Sequence, residues 1–427
     1  MHRQMSGNKG KAKQSRIEPV CPEKIVSQKT GTVYKRGELL GKGGFAKVYE
    51  LIEQDTGRIY AGKVIARKSV ARERAMLKFQ SELRIHRSMQ HPGIVRFYDQ
   101  IEDEENYYLI LELCKQKTLF NLARSKPDRR MSEREARFLY QQIVPAVKHL
   151  HDRRVIHRDL KLGNIFLTLK QDSLNEDKYK NASSKDCYNG VNITDIICKM
   201  GDFGLACQLK HNKERRNTIC GTPNYIAPEV ISKLKIGDED DSDEDSSDDS
   251  DTDEADEQDS EGRNEKRKNK KNKNKKKKDN KNLEGHSFPV DVWALGVILF
   301  TLLVGYPPFD LTKKEKEREK EKEKNKNKGK DKGNDEDKKN NEVLETYKRI
   351  RKGVFFFPDE ILQEQDDEDE DSDDNKIVLS KEVKDLIRGM LRINEIQRLT
   401  IDEVNEHKWM QIKDYEYQSE GEESEEE

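Results

Sequence analysis

From Tyr34 to Ala66 the apolar positions come in short, strand-like runs, broken by glycines and by the turn Asp55-Thr56-Gly57. That spacing predicts β-strands joined by tight turns. Val70 to Gln90 places apolar residues at helical spacing among many charges, which predicts an amphipathic helix. Ile94–Ile101 and Tyr107–Leu113 read as strands. Ser132, followed by Glu133 and Glu135 and then by apolar residues at helical spacing, marks the start of a helix running to His151. Beyond it the apolar segments are mostly helical. The most apolar of them, Ala294 to Val304, is too short to span a bilayer and predicts a buried helix. The order is a β-rich N-terminal part followed by an α-rich C-terminal part.

Four stretches carry no such pattern: 169–198, 237–285, 311–341 and 363–376. Composition explains them. Of 427 residues 39% are charged and only 32% hydrophobic, the mean hydropathy is −1.07, and 82 basic residues nearly cancel 84 acidic ones. Such a balance excludes a membrane protein, a collagen and a uniformly packed globule. The charges are segregated: Asp238 to Glu261 holds 16 acidic residues and no basic one, and Arg263 to Lys281 holds 12 basic residues against two acidic. Like-charge blocks repel and cannot bury apolar area, so these inserts are expected to be disordered, with a transient helix over 313–324. A disordered basic extension, 1–33, and an acidic tail, 411–427, are expected to flank the folded part, 34–410. Removing the inserts leaves about 250 residues, one conventional unit or two lobes. The six cysteines show no CxxC spacing, which points to reduced thiols and no zinc site. The polar start has no apolar h-region and is not read as a secretory signal.

Five motifs carry chemistry. Gly41-Lys42-Gly43-Gly44-Phe45-Ala46-Lys47-Val48 is a glycine-rich hairpin able to bring backbone N–H groups against phosphates, with Ala46 where the protein-kinase pattern has its third glycine. Lys63, inside the apolar strand Ala61-Gly62-Lys63, needs a partner for its charge, and Glu82 on the following helix offers one. That pair would set Lys63 on the α- and β-phosphates of a nucleotide. His157-Arg158-Asp159-Leu160-Lys161-Leu162-Gly163-Asn164 matches H-R-D-L-x-x-x-N in full. There Asp159 would accept or orient the substrate hydroxyl, Lys161 would neutralise the γ-phosphate and Asn164 would bind Mg²⁺. Gly201-Asp202-Phe203-Gly204 supplies a second Mg²⁺ ligand, Asp202. In Gly221-Thr222-Pro223-Asn224-Tyr225-Ile226-Ala227-Pro228-Glu229, Glu229 is expected to pair with Arg398 as an architectural contact. His157 and Asp291 are architectural as well.

Taken in order, these motifs identify the chain as a member of the protein kinase superfamily. That resemblance implies an α+β fold of two lobes: a small antiparallel sheet with one helix, 34–112, and a larger, mostly helical lobe, 116–410. ATP and Mg²⁺ are the implied cofactors and proteins the implied substrates. Lys161 and Thr222 resemble the serine/threonine class. The finer resemblance is to polo-like kinases, carried by the GKGGFAK loop, Arg84-Ile85-His86-Arg87-Ser88, Leu111-Glu112-Leu113-Cys114, Thr218 to Glu229, and Gly285-His286-Ser287-Phe288. It implies Leu111 as gatekeeper, the backbone of Glu112 and Cys114 at the adenine edge, Ala61 and Phe166 around the purine, and Leu40 and Val48 as outer lid. It implies Thr218 as an activating phosphosite, served by an upstream kinase and read by Arg158. By the same analogy the chain acts in mitosis, in nucleus and cytoplasm, at centrosome, kinetochore or spindle pole. The short tail leaves no room for a polo-box region, so phosphopeptide docking of that kind is expected to be absent. A monomer without membrane attachment is expected. The basic run from Lys266 to Lys278 reads as a nuclear import signal or a solvated loop, and without interleaved aromatics it is not expected to read nucleic acid. Two alternatives stand beside this reading: a pseudokinase scaffold acting through its charged loops, and a neighbouring Aurora-like branch.

Overall fold

The computed structural model describes residues 18–44, 46–170, 187–188, 191–234, 285–310, 335–361 and 377–413. They fall into two compact units. A sheet unit takes the described residues up to Lys117, together with 166–170 and Asp195–Gly204. A helical unit takes Thr118–Ile165 and the remaining described residues.

The sheet unit is built on six antiparallel strands: β1 (Lys24–Val26), β2 (Val33–Lys42), β3 (Ala46–Glu53), β4 (Ile59–Ala66), β5 (Phe97–Glu102) and β6 (Asn106–Leu111), in the spatial order β1-β2-β3-β4-β6-β5. Alternation along each strand gives the sheet two apolar faces. On one, Val64, Tyr108 and Ile110 bury Cys21, Ile25, Tyr34, Leu51 and Ile101. On the other, Ile65, Tyr107 and Leu109 receive Phe79 and Leu83 from the helix α1 (Glu73–Ser88). Two further strands, β8 (Ile165–Leu169) and β11 (Ile196–Met200), pair with each other.

The helical unit holds α2 (Leu119–Ser125), α3 (Glu133–Asp152), the strand pair β7 (Val155–Ile156) and β12 (Cys207–Gln208), and the short pair β9 (Cys187–Tyr188) and β10 (Val191–Asn192). After these come α4 (Pro228–Ile231), α5 (Pro289–Val304), α6 (Asp335–Lys352), α7 (Pro358–Ile361), α8 (Lys381–Met390) and α9 (Ile401–Glu406). Ser132 caps α3 reciprocally: its Oγ accepts from the Glu135 N–H at 3.2 Å, and its own N–H donates to Glu135 Oε2 at 2.9 Å. The helix α5 is apolar on all sides and buried almost throughout, so it forms the axis of this unit. Its packing partners include α3 and α8. Among the described residues no helix is long and apolar enough to cross a membrane.

The division into a sheet unit with one helix and a mostly helical unit agrees with the sequence reading, but four boundaries differ. Residues 18–33 are not a disordered extension. Strand β1 pairs with β2, Cys21 and Ile25 are buried, and Asn106 Nδ2 donates to the Val20 carbonyl at 2.9 Å. Two buried residues, Cys21 and Ile25, are enough once a sheet edge accepts the strand. Residues 191–198 are likewise folded, with Val191, Ile193, Ile196 and Cys198 buried. Asp202 belongs to the sheet unit, not to the second lobe. Helix α6 begins at Asp335, inside the expected insert 311–341. Residues 1–17, 171–186, 189–190, 235–284, 311–334, 362–376 and 414–427, with most of the expected insert 169–198, the acidic and basic blocks, the 313–324 helix and most of the acidic tail, lie outside the described residues, as does Phe45.

Candidate active-site residues in two units

The sheet unit positions a lysine between two carboxylates. Lys63 lies in β4 opposite Val48 on one side and Leu109 on the other. Ala61, Lys63 and Ile65 alternate onto the face that α1 covers. There Lys63 Nζ donates to Glu82 Oε1 at 2.6 Å, and Asp202 Oδ1 stands 3.6 Å away. Burial works against the lysine's charge, but Glu82 and then Asp202 outweigh it and hold its pKa above the usual lysine value. Phe79 and Leu83 anchor α1 and so aim Glu82. One turn on, the His86 ring packs at a tilt against Phe203, centroids 4.7 Å apart, and its Nε2 lies 2.7 Å from the Val95 carbonyl. Burial holds the His86 pKa down and so favours the neutral ring, and facing a carbonyl oxygen its Nε2 is the nitrogen that carries hydrogen. Asp202 sits in the left-handed region at φ 60°, with its side chain half exposed. A strained, solvent-facing carboxylate beside a fixed ammonium suits a cation ligand.

The glycine-rich turn joins β2 to β3, with Gly41 opposite Val48, Lys42 opposite Lys47, and the Gly43 N–H donating to the Ala46 carbonyl at 2.8 Å. Gly43, Gly44 and Leu40 are exposed. Ala61, paired with Leu111, is buried. The Glu112 N–H is already used on the Arg96 carbonyl at 2.9 Å, and its carboxylate is fixed by Lys199 Nζ at 2.8 Å and the Arg96 N–H at 3.0 Å. Burial, reinforced by Glu112, pushes the Cys114 thiol up to about 12. The ring of Phe166 closes on Gly201, where a Cβ would come within 2.9 Å of its edge.

The helical unit gathers three donors on one carboxylate. Thr222 Oγ1 donates to Asp159 Oδ1 at 2.7 Å. Lys161 Nζ donates to Asp159 Oδ2 at 2.7 Å and to Thr222 Oγ1 at 2.9 Å. Asn164 Nδ2 donates to the Asp159 carbonyl at 2.9 Å and to Oδ2 at 3.1 Å, which leaves its amide oxygen for a cation. The loop is pinned from below by Asp291 on α5. Its carboxylate accepts from the His157 N–H at 2.8 Å, the Arg158 N–H at 2.9 Å and His151 Nε2 at 3.1 Å. Arg158 has a left-handed φ of 66°, and its Nε donates to the Leu205 carbonyl at 2.7 Å. Gly221, at φ 118°, passes so close to the Arg158 carbonyl that a Cβ would lie 3.0 Å from it. Thr218 is exposed. Glu229 takes a bidentate pair from Arg398, at 2.6 and 2.9 Å, with the Arg398 side chain fully buried.

Lys63, Glu82 and Asp202 therefore meet in the sheet unit, and Asp159, Lys161, Asn164 and Thr222 meet in the helical unit. His86 received no role from the sequence, although its place four residues after Glu82 puts it on the same helical face. The ion pair between Lys199 and Glu112 joins residues distant in sequence and has no local signal.

Comparison with known proteins is consistent with this geometry. A family profile described as "Protein kinase domain" matches residues 34–242 and 282–410. The chain is 35% identical over 290 residues to the serine/threonine-protein kinase polo of Drosophila melanogaster, covering 68% of this chain and 37% of that protein. It is 32% identical over 401 residues to the cell cycle serine/threonine-protein kinase CDC5/MSD2 of Saccharomyces cerevisiae, covering 93% and 40%. It is 33% identical over 383 residues to the serine/threonine-protein kinase PLK1 of Xenopus laevis, covering 90% and 43%. The chain thus spans about two fifths of the length of these curated relatives.

Proposed function

The chain belongs to the protein kinase family, and from that premise we propose that it transfers the γ-phosphoryl group of ATP to serine and threonine hydroxyls of proteins, as a polo-like kinase of the cell cycle. The observation that carries the proposal is the set of donors on Asp159. Phosphoryl transfer asks little covalent chemistry of a protein and much positioning and charge. A carboxylate held by Thr222, Lys161 and Asn164 is fixed where an incoming hydroxyl would be oriented and its proton accepted. Lys161 supplies a cation for the transferred group. Lys63, kept charged by Glu82 and Asp202, supplies another for the α- and β-phosphates.

Mg²⁺ suits the donors on offer. Among the described residues no cluster of three or more His, Cys, Asp or Glu forms a metal cage. Mg²⁺ ordinarily takes only one or two protein oxygens and completes its shell with phosphates and water. Asp202 in the sheet unit and the Asn164 amide oxygen in the helical unit are each a ligand of the kind it takes, and its charge would offset that of the phosphates. Thr218, exposed on the segment leading to Thr222, would accept an activating phosphate from an upstream kinase. The likeness to polo-like kinases supports residence in nucleus and cytoplasm, with recruitment to centrosome, kinetochore or spindle pole, and imaging of the tagged chain tests it.

The test is phosphate transfer from labelled ATP to casein with Mg²⁺, comparing the wild type with Asp202→Asn. Transfer by the wild type at a rate at least about 100-fold above the variant supports the reading, since removing one preorganised charge commonly costs that much. Equal background rates, with Thr218 phosphorylated, would sink it and leave a scaffold as the better account.

A further inference from the structure

The turn between α8 and α9 holds a second ion pair besides Glu229–Arg398. Arg215 Nη2 donates to Glu395 Oε1 at 2.6 Å, and both side chains are largely buried. The same guanidinium grips the Gly285 carbonyl through Nε at 3.1 Å and through Nη2. Beside it the backbones of Arg216 and His286 pair, N–H to carbonyl in both directions, at 2.9 and 2.8 Å. Gly285 is required there. It has φ 91°, and a Cβ would lie 2.6 Å from the Arg216 carbonyl oxygen.

Glu395 and Arg398 are three residues apart on one turn that is rigid in itself. The Gln397 and Arg398 N–H groups donate to the Asn394 carbonyl at 3.0 and 3.1 Å, and the Ile396 N–H donates to Asn394 Oδ1 at 3.0 Å. Arg392 Nη1 closes on the Gln397 carbonyl at 2.9 Å. Arg398 also donates to the Pro289 carbonyl at 2.9 Å, at the base of α5. So a single short turn holds both ends of the segment 215–229, taking a cation from one end and an anion from the other. Between those ends lie Thr218 and Thr222, and Thr222 touches Asp159 and Lys161.

We propose that Arg215 and Glu395 are positioning residues for the protein substrate: with Arg398 and Glu229 they fix the segment 215–229 at both ends, and so hold Thr222 on the Asp159 carboxylate before any phosphate is added. The inference rests on the kinase reading given above. Glu229–Arg398 alone would fix one end and leave the Arg215 end to the Arg216–His286 backbone pair, with Thr222 held by its own bonds to Asp159 and Lys161. Glu395 Oε2 is buried and has no hydrogen-bond partner among the described residues. Removing the guanidinium therefore strands a buried carboxylate, and the segment end is expected to detach.

The test uses the full chain with Thr218 unmodified, comparing the wild type with Glu395→Gln, Arg215→Gln and Arg215→Lys. The two neutralising variants are expected to raise KM for casein about tenfold and leave KM for ATP within about twofold, since each loses a charge-assisted bond of at least about 1.4 kcal/mol. Arg215→Lys keeps the charge, loses the fork to Gly285, and recovers most of the loss. Amide hydrogen exchange at Thr218 to Thr222 speeds up in the neutralising variants, while exchange in α9 does not. An active wild type with unchanged casein KM in both variants overturns the inference, and so does an equal rise in both KM values. If the wild type transfers no phosphate, the kinase reading falls. The exchange measurement then still decides the clamp: faster exchange at 218–222 supports it and unchanged exchange refutes it.

Discussion

Replacing Asp291 by Asn changes one atom of the side chain and removes the charge on which the 157–159 loop rests. Oδ2 accepts from the His157 N–H and from His151 Nε2, and Oδ1 accepts from the Arg158 N–H. Asparagine keeps one oxygen, which turns to the His157 and His151 donors, and sets its NH₂ against the Arg158 N–H. The loss is one charge-assisted bond of about 1.5–3 kcal/mol outright and the charge assistance of the other two, partly offset because a neutral amide is cheaper to bury. A net cost of about 3 kcal/mol follows, which for a folded part of about 250 residues lowers Tm by roughly 6–12 °C. Arg158 is also released from its left-handed backbone, and Asp159 is the next residue, so kcat is expected to fall at least about tenfold. The pH dependence gives an independent check. Burial raises the Asp291 pKa, but His151 and His157 outweigh it, and the folded carboxyl titrates below its ordinary value. Such a group adds stability above the unfolded pKa of about 3.9 and loses it as pH falls through the folded value. The wild type therefore loses Tm steeply below about pH 4, and Asp291→Asn has a flatter acid limb. Differential scanning fluorimetry from pH 3 to 8 reads both effects. A Tm shift under about 2 °C at pH 7, or parallel acid limbs, would refute the reasoning.

Other consequences are open to simple measurement. Lys63→Met leaves Glu82 and Asp202 without their shared cation and is expected to lower kcat on casein by at least about 100-fold in steady-state kinetics. Thr222→Val removes both the bond to Asp159 and the acceptor for Lys161, so kcat falls at least about tenfold, while Thr222→Ser retains most of it. Burial, with Arg158 second, pushes the His286 pKa down to about 4, so its ring resonances stay fixed between pH 5 and 8 by NMR; movement there contradicts the burial argument. Burial pushes the thiols of Cys114 and Cys21 up to about 12 and about 11, so both alkylate at pH 8 more than about 100-fold slower than an unperturbed thiol of pKa about 8.5, as mass spectrometry of iodoacetamide-treated protein would report.

What the sequence made legible follows the range of each interaction. The pairing of Lys63 with Glu82 needed only a charge inside an apolar strand and a carboxylate on the next helix, and the helical pattern from Val70 to Gln90 contains Glu73–Ser88. The cap at Ser132 was equally local. The short strand Lys24–Val26 was hidden because three residues show no period by themselves and acquire structure from β2. Ile193 to Cys198 was absorbed into a polar stretch because the apolar turn comes only at its end, and what it packs against lies far back in the chain. Asp202 was assigned to the second lobe because it follows the catalytic loop in order; its partner Lys63 is some 140 residues earlier, a distance that composition and periodicity do not span. The pair of Arg215 with Glu395 had no signal for the same reason.

The chain enters the helical unit at Thr118, returns to the sheet unit at Phe166 and again at Asp195, and leaves it for the last time after Gly204. The two units are thus interlaced along the gene. A ribosome that has released the chain up to Lys117 has released all six strands of the main sheet but not the β8–β11 pair or Asp202, one of the two carboxylates that neutralise Lys63. The smaller unit is expected to reach its full fold only after Gly204 has been made. No single cut separates the units, so a shuffling event with one breakpoint cannot graft either of them onto another protein. Inheritance must carry the pair together, and length can be added only at surface loops between elements.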